Sequence, residues 1–337
     1  MTEIAKKDSF QSLSPEAILD AIESQSGLLS DGRLLALNSY ENRVYRVGME
    51  EGPPLVAKFY RPERWTEDQI NEEHSFAQEL ADSEIPVVTA LPDQQGKTLR
   101  NNNGYLFALY PMRGGRSPEL DNSQQLEIIG RFIGRIHKVA ETKEFSHRPK
   151  IDTATLGHVS ANYLLDNDRL PGDLADAYES LVIDLLEKVD DQIEDISKSR
   201  AIRLHGDFHP GNILWRDETP HIVDLDDART GPAIQDIWLF LSGDRQYQQA
   251  RLADLLEGYT QFREFDPKEL GLIEPLRTLR MIHYAAWLDI RRDEPAFQQA
   301  FPWLASPRYW DEHILELKEQ SSALDERPLK WDLCKCD

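Results

Sequence analysis

The sequence predicts an α+β chain in two lobes, a small β-rich lobe followed by a large helical one. Short β-type runs crowd between Leu34 and Tyr60, and helical spacing of apolar residues dominates after Gly114-Gly115. A third observation is the segment "LHGDFHPGNILWRDETPHIVDLDDA", Leu204 to Ala228, which sets five Asp, three His and an Asn around two short apolar runs. A chain of 337 residues with 40% hydrophobic and 29% charged residues has enough apolar material to bury a core in each lobe.

The elements follow in order. Ser14-Pro15-Glu16 predicts a helix start, with Ser as N-cap and Pro in the first turn, leading into "EAILDAIES" and ending at Gly27. "RLLAL", "RVYRV" and "LVAKFY", broken by "NSYEN" and Gly52-Pro53-Pro54, predict a small antiparallel sheet. "TEDQINEEHSFAQELAD" restores helical spacing, with Ile70, Phe76, Ala77 and Leu80 on one face and Thr66 or Asn71 as cap. "YLFALYPM" returns to strand. Beyond it run the helical stripes Leu126, Ile129, Ile133, Ile136 and Leu276, Leu279, Ile282, Leu288, so the boundary is expected near Pro111 to Arg116, with lobes over 1–112 and 113–337. The aromatic residues of "MIHYAAWLD" are expected in the core, as is His137 on its apolar stripe.

Composition narrows the function classes. A net charge of -22 with no basic cluster disfavours a nucleic-acid or anionic-membrane partner. Cys334 and Cys336 form a C-K-C at the end of the chain, which cannot staple a fold and lacks the second pair of a zinc site; exposed thiols are expected. No apolar run approaches a membrane span and the N-terminus has no apolar core, so a cytoplasmic monomer is expected.

Within the charged segment, Ile213-Leu214-Trp215 and His221-Ile222-Val223 predict a hairpin across the polar turn "RDETP". A hairpin brings its open ends together, so Asp207, Asn212 and Asp224 are expected to converge. Carboxylates so placed repel unless a divalent cation resolves the conflict. An Asn and an Asp, with waters and phosphates completing an octahedron, suit Mg²⁺, and the remaining carboxylate is left to accept a proton from a hydroxyl. The competing reading makes these three residues turn and cap formers. Lys58 alone could be a snorkelling strand Lys, His205 and His209 are more often packing residues than zinc ligands, and Asp226 and Asp227 suit either a metal neighbour or a solvated turn.

The spacing H-x-D-x-x-x-x-N in "HGDFHPGN", followed by a hairpin and "VDLDD", resembles the catalytic and metal-binding segments of the protein-kinase-like fold. The form H-G-D-x-H-x-G-N without D-F-G is similar to the aminoglycoside phosphotransferase and choline kinase branch. "LNSYENRVY", "KFYRPERW" and "VDLDDAR" extend the likeness over nearly the whole chain. The resemblance implies a Mg²⁺-dependent, ATP-using Ser/Thr protein kinase of a stress response, with ATP between the lobes. It places Asp207 as the catalytic Asp beside the acceptor hydroxyl, Asn212 and Asp224 as metal ligands, and Lys58 on the α and β phosphates. Glu73, favoured over Glu72 by its spacing to Phe76, Ala77 and Leu80, would pair with Lys58. "NSYENR" stands where kinases carry a glycine-rich loop, so Ser39 and nearby amides would cover the phosphates. "LYPMRGG" resembles the adenine-binding hinge, with Tyr110 to Met112 in contact, and Asp236 matches the Asp that supports the catalytic loop. A small-molecule kinase acting on an amino alcohol, sugar or aminoglycoside would carry the same motifs, and a nucleotide-binding pseudokinase scaffold is the non-enzymatic alternative.

Overall fold

The computed structural model describes residues 10, 12–166, 169–196, 201–306 and 308–331, so Cys334 and Cys336 lie outside the described residues. The chain forms two compact units, and neither is continuous in sequence. One takes Met1–Glu119, Phe145–Arg148 and Pro210–Ala228; the other takes Leu120–Glu144, Pro149–His209 and Arg229–Asp337.

The first unit is built on a five-stranded antiparallel sheet. Helix α1 (Pro15–Ser26) begins where the Ser14 hydroxyl accepts the Ala17 amide at 3.2 Å and ends at Gly27 in the left-handed region, φ 71°. The strands β1 (Ser30–Ala36), β2 (Arg43–Met49), β3 (Leu55–Phe59), β4 (Arg100–Asn102) and β5 (Tyr105–Pro111) lie in the order β1-β2-β3-β5-β4. Alternation along β3 sorts its residues by face. Ala57 and Phe59 join Val47, Phe107 and Leu109 in a core closed by Ile18 and Ile22 of α1, whereas Tyr60, Ala108 and Tyr110 pack with Ile70 of α2 (Glu67–Asp82). A capping box fixes the start of α2: the Thr66 hydroxyl accepts the Gln69 amide at 3.2 Å, and the Gln69 side chain accepts the Thr66 amide at 2.9 Å.

The hairpin also belongs to this unit, as β7 (Ile213–Arg216) and β8 (Thr219–Ile222). Its turn is shorter than the expected "RDETP". Asp217 and Glu218, at φ 50° and 56°, close it alone, and Pro220 is a strand residue opposite Trp215. Two successive left-handed residues give the tight turn that matches strand twist. Pro220 is tolerated because the amides of this pair point away from each other: the Trp215 N–H donates instead to the Arg116 carbonyl at 2.7 Å.

The second unit is helical, with a short ribbon of β6 (Ile202–Leu204) and β9 (Arg229–Gly231). Helices α5 (Ala175–Ile196), α8 (Ile273–Arg291) and α10 (Arg308–Leu324) share a core of Tyr178, Leu185, Leu279, Ile282 and Leu317. Helix α3 (Ser123–Ala140) crosses α7 (Arg245–Tyr259) so closely that a Cβ on Gly130 would meet the Leu255 carbonyl and one on Gly258 would meet the Glu127 carbonyl. On α8 one expectation is corrected. Tyr284 is 44% exposed, because the buried stripe Leu276, Leu279, Ile282, Ala286 leaves it on the other side of the helix.

Candidate active site

Lys58 sits on β3 with its ammonium sunk among carboxylates. It is 6% exposed, and Nζ lies 2.8 Å from Asp224 Oδ1 and 3.0 Å from Asp226 Oδ1. Burial presses the ammonium toward neutrality, but Asp224, Asp226 and Glu73 outweigh it and hold Lys58 charged, its pKa well above the ordinary value. The Tyr60 ring faces Nζ at 5.1 Å, a cation–π contact. Behind it lies a buried hydrogen-bonded knot. His74 Nε2 meets the Tyr60 hydroxyl at 2.8 Å and the Tyr110 hydroxyl at 3.2 Å, while Nδ1 meets Thr98 Oγ1 at 2.8 Å. Burial, with the Lys58 charge behind it, presses His74 down to about 3, so the imidazole is neutral.

Asp226 organises the rest of this cluster. It is 3% exposed and accepts from Asn42 Nδ2 at 3.2 Å, and it forms an ion pair with Arg64, whose other nitrogen reaches Asp227 at 2.9 Å. Burial would raise Asp226, yet Lys58 and Arg64 overcome it and hold the carboxyl at about 2. Asn42 also accepts the Arg61 amide at 3.0 Å, and the Arg61 side chain donates to the carbonyls of Glu41 at 3.0 Å and Tyr40 at 3.2 Å. The turn between β1 and β2 is thus fastened by side chains rather than shaped by glycines, with Ser39 half-buried in it.

Asp224 has a left-handed backbone, φ 61° and ψ 63°, uncommon outside glycine but accessible to Asp, and its side chain is 53% exposed. The Val223 amide, next to it, donates to the Asn212 carbonyl at 3.1 Å, which ties the two ends of the hairpin together. Glu73 is 3% exposed; burial, against the pull of Lys58, raises it to about 7. Its ion-pair partner is Arg148 at 4.0 Å, and the direct partners of Lys58 are Asp224 and Asp226. Glu72 points elsewhere, accepting the amides of Ser146, His147 and Arg148 at 2.6, 2.9 and 2.8 Å. Tyr110 is the penultimate residue of β5, with its hydroxyl in the knot described above, and half-buried Met112 follows just beyond the strand.

Asp207 belongs to the helical unit. The turn that carries it is held from within: the two oxygens of Asp236 accept the amides of His205 at 2.8 Å and Gly206 at 2.9 Å. Gly206 takes φ 88°, which a side chain would strain. Asp236, on α6 (Gln235–Trp238), is also met by His137 Nε2 at 3.2 Å, and His137 Nδ1 meets the Tyr259 hydroxyl at 3.1 Å, so His137 is a satisfied core residue. The Asp207 carboxylate meets Arg280 Nη1 at 2.8 Å and stands 3.5 Å from His209 Nε2. Burial would raise Asp207, but the His209 hydrogen bond and the Arg280 charge hold it well below the ordinary carboxylate range. The His205 ring lies tilted against Phe208, with ring centroids 4.9 Å apart, and among the described residues no group of three His, Cys, Asp or Glu is placed to hold a metal ion.

The site also draws on Asn42, Arg61, Arg64, Arg148 and Arg280, which the sequence motifs do not single out, and on Asp226, which suits two roles in the sequence. Asn42 and Arg64 stand inside the quoted "NSYENR" and "RPERW", so polarity flanking the Lys58 strand was an available signal. Arg148 and Arg280 arrive from distant segments and have no local signature.

A family model described as "Phosphotransferase enzyme family" matches residues 33–273. The chain belongs to this family. It is 44% identical over 326 residues to "Stress response kinase A" of Escherichia coli O157:H7, covering 95% of this chain and 96% of that protein. It is likewise 44% identical over 321 residues to "Serine/threonine protein kinase RdoA" of Salmonella typhimurium, with 95% and 96% covered. In fold it is similar to the solved "Amicoumacin kinase hAmiN in complex with AMP-PNP, Ca2+ and Ami", with a TM-score of 0.72, 18% identity and 94% of each chain covered. The kinase-like α+β fold expected from the sequence is thereby established, and the chain is a phosphotransferase of the kinase type.

Proposed function

We propose that this chain transfers the γ-phosphate of ATP, with Mg²⁺, to Ser or Thr hydroxyls of proteins in a cytoplasmic stress response. The chemistry rests on one observation above the others: a strand lysine, buried and held charged, 2.8 Å from the carboxylate of Asp224. The acceptor class and the stress context rest on the likeness, over 95% of the chain, to proteins named for both. Among the described residues no helix is long and apolar enough to cross a membrane.

In this reading Asp207 accepts the proton of the attacking hydroxyl while the oxygen bonds to the γ-phosphorus and the bond to the ADP oxygen breaks. Asp236 positions Asp207 through the amides of His205 and Gly206, which costs no reorganisation during the reaction. Lys58 steadies the α and β phosphates, and Ser39 with the loop amides fastened by Asn42 and Arg61 covers them. Glu73 lends negative charge to Lys58, and Tyr110 to Met112 serve the adenine edge. The functional lobes run over 1–112 and 113–337. Asn212 and Asp224 offer an amide and a half-exposed carboxylate, hard oxygens of the kind Mg²⁺ takes. When bound, that ion supplies positive charge to the phosphate oxygens.

The test is transfer of labelled γ-phosphate by wild type and Asp207→Asn to a degenerate Ser/Thr peptide library, and separately to pooled amino alcohols and aminoglycosides. Label on Ser or Thr, reduced at least about 10²-fold in the variant, is the expected result. Wild-type turnover in the variant overturns the role of Asp207, and label confined to small molecules overturns the protein acceptor.

A further inference from the structure

Both oxygens of Asp207 have a nitrogen-bearing side chain beside them, one of them a guanidinium. Arg280 Nη1 covers Oδ1 at 2.8 Å, and His209 Nε2 faces Oδ2 at 3.5 Å. A hydroxyl that is to surrender its proton must itself come within roughly 2.6–3.2 Å of that carboxylate. It therefore arrives beside a guanidinium, and the guanidinium must give ground. Arg280 can do so: its side chain is 44% exposed and projects from α8 on a long, flexible stem.

Its neighbours on α8 are already committed. Arg277 donates Nε to Glu274 at 3.0 Å and lies over the Trp238 ring at 5.0 Å. Glu274 in turn accepts Gln320 Nε2 at 2.9 Å. One turn beyond Arg280, exposed Tyr284 stacks on Trp287 at 5.5 Å, so the helix face leading away from Asp207 is basic and then aromatic. The Arg280 guanidinium, once off Asp207, attracts a carboxylate and can grip it bidentately.

We propose that Arg280 is the specificity residue for the acceptor, selecting Ser or Thr hydroxyls flanked by Asp or Glu. The flanking carboxylate draws the guanidinium off Asp207 as the hydroxyl comes in, so the base is released by the substrate it is meant to act on. This inference rests on the protein-acceptor reading and deepens it.

The experiment uses three Ser peptides that differ only in whether Glu, Gln or Lys flanks the serine, with kcat and KM measured for wild type, Arg280→Gln and Arg280→Glu. Wild type is expected to favour the Glu peptide over the Gln peptide by about threefold to tenfold in kcat/KM, the range for a partly exposed charge-assisted pair. Arg280→Gln abolishes that preference, and Arg280→Glu moves it to the Lys peptide. Equal use of the Glu and Gln peptides by wild type overturns the inference alone, as does a Glu preference that survives in Arg280→Gln. Labelling of amino alcohols with none of the peptides labelled overturns the inference together with the protein-acceptor reading.

Discussion

Asp226 and Asp236 are ten residues apart, both buried, at 3% and 1% exposure, and each is answered by partners of a different kind. Asp226 is answered by full charges, Lys58 at 3.0 Å and the Arg64 guanidinium. Asp236 is answered by backbone dipoles, the amides of His205 and Gly206, together with His137. A carboxylate held by charges shares its loss with every cation that depended on it. One held by amides fixes the path of a loop, and its loss is felt as geometry.

The largest expected effect separates the two. Asp226→Asn leaves Lys58 and Arg64 short of a counter-charge in a buried site, and urea denaturation is expected to show a loss of about 3–5 kcal/mol, the range for breaking a buried pair. A loss below 1 kcal/mol would break the comparison. Next comes a pH effect in the unit of Asp236. Glu269, 3% exposed and accepting the Ile234 amide at 2.8 Å, is raised by burial from 4.5 to about 7. As pH rises the unfolded chain releases this proton first, so between about 4.5 and 7 the native state binds more protons and stability falls. The fall is at most roughly 3 kcal/mol, Glu73 adds in the same direction, and Glu269→Gln is expected to flatten the curve measured over that window. An unchanged curve would show that the carboxyl does not titrate there.

Asp236→Asn turns one acceptor into a donor facing an amide. It is expected to lower stability by about 1–3 kcal/mol and to reduce phosphate transfer more than nucleotide affinity, since what it disturbs is the turn bearing Asp207. Smallest is Asn42→Ala, about 1 kcal/mol in thermal unfolding, because Lys58 and Arg64 still neutralise Asp226 when the amide is gone. A loss matching that of Asp226→Asn would make hydrogen bonding, and not charge, the agent that holds the cluster.

Much of this was legible in the sequence because it is local. The Ser14 cap, a cap at Thr66 or Asn71, the Lys58 strand and the hairpin all follow from spacing and turn chemistry within a few residues. The partners of the charges were not. Lys58 and Asp226 are far apart in the chain, Arg148 meets Asp226 through a main-chain oxygen, and Arg280 is 73 residues from Asp207. Residue types marked these positions as chemical, but which cation answers which carboxylate is decided by tertiary packing. Tyr284 differs in kind: the periodicity of α8 places it off the buried stripe, whereas its aromatic character argues for burial, and the periodicity decides.

The crossing of α3 and α7 bears on all of this through mechanics. His137 rides on α3 and its partner Tyr259 ends α7, so the footing of the catalytic turn depends on how these helices are indexed against each other. That indexing is set where side chains are absent, at Gly130, Gly134 and Gly258, each notched onto a carbonyl of the opposite helix. Sliding one helix along the other would drive a neighbouring Cβ into those carbonyls. The pair therefore behaves as a keyed joint, free to move as one beam but not to slip, and its key is three missing side chains.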